Sequence, residues 1–83
     1  MQTLVEFIVK NIVNNSDNVF VREDIIELNE SGRSSKIYYV SVNQEDIGVV
    51  IGKNGHTIRS IRNIVKVKAV KDGIYADVRI EEG

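Results

Sequence analysis

Two glycines three residues apart, Gly52 and Gly55, stand between two apolar runs and confine what this chain can build. Val49-Val50-Ile51 comes before them, and Ile58, Ile61, Val65 and Ala69 follow at the spacing of one helix face. Glycine at both ends of Lys53-Asn54 permits positive φ angles and leaves no side chain to hold another backbone away. The pattern predicts a short helix over roughly 44–51, a sharp turn, and a longer helix from about 56 to 70. That second helix would begin right after Gly55, so its unpaired N–H groups and positive dipole end face whatever enters the turn. Lys53 adds a mobile charge, and together these are the parts of a phosphate-binding loop.

Competing readings of the same residues are weaker. Asn54-Gly55 could form a β-hairpin tip, but the periodicity after it is helical. Gly48-Val49-Val50-Ile51-Gly52-Lys53 has three residues between its glycines where a nucleotide-binding P-loop has four, and Asn54 stands where Ser or Thr would hold magnesium. That reading is excluded. His56 is the single histidine; with no Cys in the chain and no Ser in a nucleophile motif, it reads as a surface or phosphate contact. Ile51 and Ile58 flank the loop and fit either the core or the wall of a base-binding groove.

The net charge of −1 hides an uneven distribution. Residues 1–50 carry eight acids and four bases, and residues 72–83 carry four acids and one base. Between them Lys53, Arg59, Arg62, Lys66, Lys68 and Lys71 occupy residues 53–71 with no acid among them. A polyanion responds to the local field more than to the chain total, so this segment reads as a directed basic patch.

The rest of the chain supplies a scaffold. Thr3 and Glu6 match a capping box, followed by Leu4, Val5, Ile8, Ile12 and Val13 at helical spacing; Asn14-Asn15-Ser16-Asp17 should end that helix. Val19–Leu28 reads as a strand that Glu23-Asp24 should bend. A polar turn over residues 29–34 leads to a second strand over 36–42. Asn43 is placed to cap the helix starting at Gln44, with Glu45 and Asp46 favouring its positive end. Asp72-Gly73 turns the chain into a last strand, 74–80. A short loop makes the first two strands an antiparallel hairpin, and a helical crossover returns the third parallel to the second. The expectation is an α+β fold of order α-β-β-α-α-β: a three-stranded mixed sheet with helices on one face.

At 83 residues the chain has room for one small domain, 1–83, and not for a deep cleft between lobes. It has no cysteine for disulfides or thiolate metal sites, and one histidine does not make a metal site. No apolar run approaches the roughly 20 residues that span a bilayer. The opening Met1-Gln2-Thr3-Leu4 lacks the basic and apolar regions of a signal peptide. The expected protein is soluble and cytoplasmic, needs no cofactor, and is not an enzyme, since acid, base and nucleophile form no constellation.

The stretch Val50-Ile51-Gly52-Lys53-Asn54-Gly55-His56-Thr57-Ile58-Arg59-Ser60-Ile61-Arg62 resembles the signature of KH domains, whose loop clamps about four nucleotides of RNA backbone while bases lie in an adjoining groove. The helix-first order is similar to the type II arrangement. Leu4-Val5-Glu6-Phe7-Ile8, the strand from Val19 to Arg22, and Glu45-Asp46-Ile47-Gly48 extend the likeness to the small bacterial KhpA family over nearly the whole chain. The resemblance implies a cytoplasmic protein that binds single-stranded RNA with little sequence preference and works with a larger KH partner, KhpB or Jag. It also implies a link to post-transcriptional regulation and to cell elongation and division. Its RNA-binding residues would be Ile51, Gly52, Lys53, Asn54, Gly55, His56, Thr57, Ile58, Arg59 and Arg62. Two departures stand out: the usual alanine-rich end of the second long helix reads Val65-Lys66-Val67-Lys68-Ala69-Val70 here, and Ser16 replaces a proline.

A second class of function is a protein-interaction module. Ile58, Ile61, Ile64, Val65, Val67 and Val70 are more apolar positions than one face of the long helix buries, so homodimerisation, or pairing with a larger KH protein through that helix, is expected.

Overall fold

In the computed structural model, which describes residues 1–28 and 34–81, the loop is framed by short and long helices packed on a three-stranded sheet. The order is α1 (Gln2–Lys10), β1 (Phe20–Leu28), β2 (Ser34–Ser41), α2 (Ile47–Ile51), α3 (His56–Lys71) and β3 (Tyr75–Ile80). Three 3₁₀ turns, at Ser16–Asn18, Gln44–Asp46 and Lys53–Gly55, precede β1, α2 and α3. The sheet order is β1-β2-β3, with β1 antiparallel and β3 parallel to β2. This is the mixed α+β sheet expected from the chain order.

Alternation along the strands decides which face is covered. Tyr38 and Val40 of β2 and Ala76 and Val78 of β3 are buried against the helices. From the helices, Val5 and Val9 of α1, Val50 of α2, and Ile58, Ile61, Val65 and Ala69 of α3 close the same core. The α3 stripe is the one the spacing predicted. On the opposite, uncovered face, Arg22 lies 4.5 Å above the Tyr39 ring and pairs with Asp24 and Glu81.

Several local expectations are corrected. Helix α1 starts at Gln2 with Met1 as its N-cap, so Thr3 lies inside the first turn and caps nothing. It ends at Lys10, because Asn11 takes over as C-cap and its Nδ2 bonds back to the Phe7 carbonyl at 2.7 Å. Strand β1 is not bent at Glu23-Asp24: Lys36 at 3.3 Å and Arg22 at 2.8 Å balance these carboxylates, and the ladder stays regular there. The register shift comes later, between Ile25 and Glu27. The expected helix over 44–51 divides into a 3₁₀ turn and α2. Residues 29–33 of the expected turn lie outside the described residues. The valines late in α3 do not end the helix, which runs on to Lys71.

Candidate nucleic-acid interface

The loop owes its shape to three residues with positive φ. Gly52 (φ 76°), Asn54 (φ 56°) and Gly55 (φ 74°) alternate the backbone sharply enough to join α2 to α3 within one 3₁₀ turn. Asn54 is the single non-glycine residue of this kind among those described, and Asn is a side chain that tolerates the left-handed region. The two glycines are not equivalent. Gly52 has φ 76° and ψ 171°, a region essentially reserved for glycine. A Cβ there would also collide with Thr57, 2.7 Å from its Cβ and 2.8 Å from its backbone nitrogen. Thr57 thus fills the space a side chain at 52 would need. At Gly55 a Cβ would meet nothing within 4 Å, so only the φ angle calls for glycine.

The exposed groups of this turn are polar or basic: Lys53, Asn54, His56 and Arg59 all face solvent. Not every amide remains available. Gly55 N–H donates to the Gly52 carbonyl at 3.1 Å, and His56 N–H donates to that of Lys53. The donors left for an anion therefore come from the next residues of the α3 first turn, where the helix end is positive. Ile58 is core. Ile51 is half-buried and packs against that core, leaving part of its side chain at the surface beside the loop.

Arg59, Arg62 and Lys66 follow one another on a single flank of α3, at i, i+3 and i+7. Arg62 shows what this flank adjoins. Its Nε donates to the Val78 carbonyl at 2.8 Å and lies 3.5 Å from the Asp77 carboxylate, so the guanidinium straps α3 to the edge strand β3. Lys68 pairs with Asp72 at 3.3 Å. The basic segment is thus partly balanced in three dimensions by acids that lie after it in sequence. Lys53, Arg59, Lys66 and Lys71 have no acidic partner among the described residues.

The approach to the loop is anchored by Asp46, which the sequence places with Glu45 at the positive end of a helix. It is fully buried. Its Oδ1 accepts the Asn14 N–H at 3.1 Å, and its Oδ2 accepts the Asn15 N–H and Asn15 Nδ2, each at 3.0 Å. Burial by itself raises the Asp46 pKa, but the Asn15 side chain and the two backbone N–H groups outweigh it and hold the carboxyl below its usual range. The donors lie more than thirty residues away in sequence, and no local pattern pointed to them. Asn43 behaves as expected, its Oδ1 accepting the Glu45 N–H at 3.0 Å.

No helix among the described residues is long and apolar enough to cross a membrane, and no cluster of metal-ligating side chains occurs among them. Comparison with known proteins adds the family. A model described as "KhpA/KhpB, KH domain" matches residues 2–80. The chain is similar to "RNA-binding protein KhpA" of Clostridium perfringens, 39% identical over 80 residues that cover 96% of this chain and 99% of the relative. A protein of the same description from Chlamydia trachomatis is 33% identical over 82 residues, covering 99% and 97%. The Thermotoga maritima counterpart is 42% identical over 62 residues, covering 75% of each. With its mixed sheet, its helix-first order and a glycine-framed loop entering α3, the chain belongs to the KhpA/KhpB family of KH domains.

Proposed function

We propose that residues 1–83 act as one non-catalytic domain that binds single-stranded RNA through the Gly52-Lys53-Asn54-Gly55 loop and the start of α3. The observation that carries this reading is the loop itself: three positive-φ residues turn the chain so that Lys53, Asn54 and His56 are exposed at the positive end of a 16-residue helix. The names of the similar KhpA proteins, which describe RNA binding, support it. Lys53 would supply charge to a phosphate and Asn54 a polar side chain. His56, Thr57 and the first-turn amides would complete the contact, and Arg59 would extend it along the β3 flank. Arg62, held by Val78, would act more as the wall of this track than as a free ligand.

Residues 44–74 contain no Phe, Tyr or Trp, so stacking on bases is limited to arginine and specificity should be low. One such site spans about four nucleotides, which favours a second copy or a larger KhpB-like KH partner to reach useful affinity. The exposed Ile64, Val67 and Val70 support a second reading, in which α3 also serves as a homo- or heterodimer surface. A cytoplasmic setting suits both roles.

The test replaces Lys53 and Asn54 together with Asp. Both positions are exposed, and Asp tolerates the left-handed region at 54, so circular dichroism should report an unchanged fold. Affinity for a short single-stranded RNA should fall on the order of 100-fold, as two carboxylates meet the phosphates. The unaltered protein should show a log–log salt slope of about −2 to −3, corresponding to three or four phosphate contacts. A folded double variant that binds as well as the original contradicts the proposed site.

A further inference from the structure

We infer that Asp46 is a positioning residue for the RNA-binding loop: its buried carboxylate staples α2 to the α1–β1 connection and so fixes where the Gly52–Gly55 turn stands. The inference rests on the RNA-binding reading above.

Asp46 is the one buried charged residue among those described. No Lys or Arg among the described residues pairs with it; three neutral donors do. A carboxylate in such a place costs desolvation, which its three hydrogen bonds outweigh. What it provides besides is geometry. Two separate oxygens engage two consecutive backbone N–H groups, at Asn14 and Asn15, which fixes the orientation of the attached segment as well as its distance. The Asn15 side chain closes the set from the same connection.

That segment needs an external anchor. Helix α2 has five residues, too few to stand alone, and Val50 is its one fully buried side chain. Its entry is a compact unit: Asp46 N–H donates to the Asn43 carbonyl at 2.8 Å, and Asn43 Oδ1 caps Glu45. Its exit is Gly52, locked against Thr57. The loop is therefore suspended between two fixed points, Asp46 on one side and α3 on the other. If the first is released, the loop must be ordered at the moment of binding, and that ordering reduces affinity.

The experiment compares Asp46→Asn, Asn15→Ala and Val40→Ala with the unaltered protein. Asp46→Asn keeps the shape but turns an amide group toward an N–H donor. Asn15→Ala weakens the staple from the far side without touching the loop segment. Val40→Ala damages the core in the sheet and serves as the stability control. Affinity for a short single-stranded RNA is measured at a temperature where circular dichroism shows each variant folded, together with amide hydrogen exchange over residues 47–57. Asp46→Asn is expected to lose about tenfold in affinity and Asn15→Ala a few-fold, both with faster exchange in the loop. Val40→Ala should bind like the unaltered protein. If Asp46→Asn does not fold, Asn15→Ala decides by the same two readouts. Unchanged affinity and unchanged loop protection in the folded staple variants overturn the inference, as does an equal loss of affinity in Val40→Ala. An unaltered protein that binds no RNA overturns the RNA-binding reading instead. Loop exchange then still decides the staple, and unchanged protection refutes it.

Discussion

The two ends of α3 share one buried stripe and both expose cations, but only the far end also shows large apolar side chains to solvent. At the start, Lys53, Asn54, His56 and Arg59 are exposed around a glycine-framed turn. Toward the end, Ile64, Val67 and Val70 are 49%, 60% and 76% exposed. Beside them Lys66, Ala69, Val70, Ile74, Tyr75 and Ala76 line a shallow recess of about 350 Å³. A helix that only had to cover a sheet would be polar along its whole outer side. The first end has donors and positive charge, as an anion requires; the second leaves apolar surface in water, as a protein partner would cover. Under the proposed reading, nucleic-acid contact and association would be divided along a single element, and each half should fail separately.

The largest effect should come from the loop end. Gly52→Ala must leave a glycine-only conformation and push Cβ into Thr57, including its backbone nitrogen, at an expected cost of roughly 2–5 kcal/mol. Gly55→Ala meets open space and pays only for its left-handed φ, about 1 kcal/mol. Urea denaturation of the two variants measures the difference. Equal losses would show that the Gly52–Thr57 contact does not define the loop.

At the other end, changing Ile64 and Val67 to serine should leave the fold and the binding of a single-site RNA alone while weakening association roughly 10- to 100-fold. Sedimentation over a range of concentrations reads this out. An unaltered protein that is monomeric at high concentration, and takes up no KH partner, would remove the association half of the comparison.

The smallest effect is expected from acid. The folded pKa of Asp46 is depressed, so the stability it contributes is fully present above the unfolded carboxylate value of about 4 and is lost as pH falls through the lower folded value. The stability difference between the unaltered protein and Asp46→Asn should accordingly be constant from neutral pH to about pH 5 and shrink below about pH 4. Amide protection over 47–55 should weaken in acid before protection over 64–71 does. A difference that stays constant to pH 3 would mean that the carboxylate charge is not what holds the staple.

Much of this molecule could be read from local pattern because local physics decides it. The buried face of α3, the Asn43 cap, the turn at Asp72-Gly73 and the parallel return of β3 all follow from periodicity, capping and chain connectivity. The loop was legible for the same reason, since its glycines and its place between two helices are neighbours in sequence. What local pattern did not reveal depends on partners far along the chain. Asp46 reads as one of two acids at a helix start until Asn14 and Asn15 fold over it. Arg62 reads as one more cation in a basic run until Val78 and Asp77 arrive on β3. The capping box at Thr3 failed for a smaller reason: the helix gained two more residues at its start, Gln2 and Thr3, and the motif was carried inside it.

The central claim, that RNA meets the loop end of α3 and not its apolar end, is tested most directly by titrating isotopically labelled protein with a short single-stranded RNA and following every backbone amide by NMR. The account predicts that the largest shifts fall on residues 52–59, with smaller ones along the Arg62 flank and little change at Val67, Val70 and Tyr75. Shifts concentrated on Ile64–Tyr75 or on the Arg22–Tyr39 face of the sheet, with the loop unmoved, would contradict it.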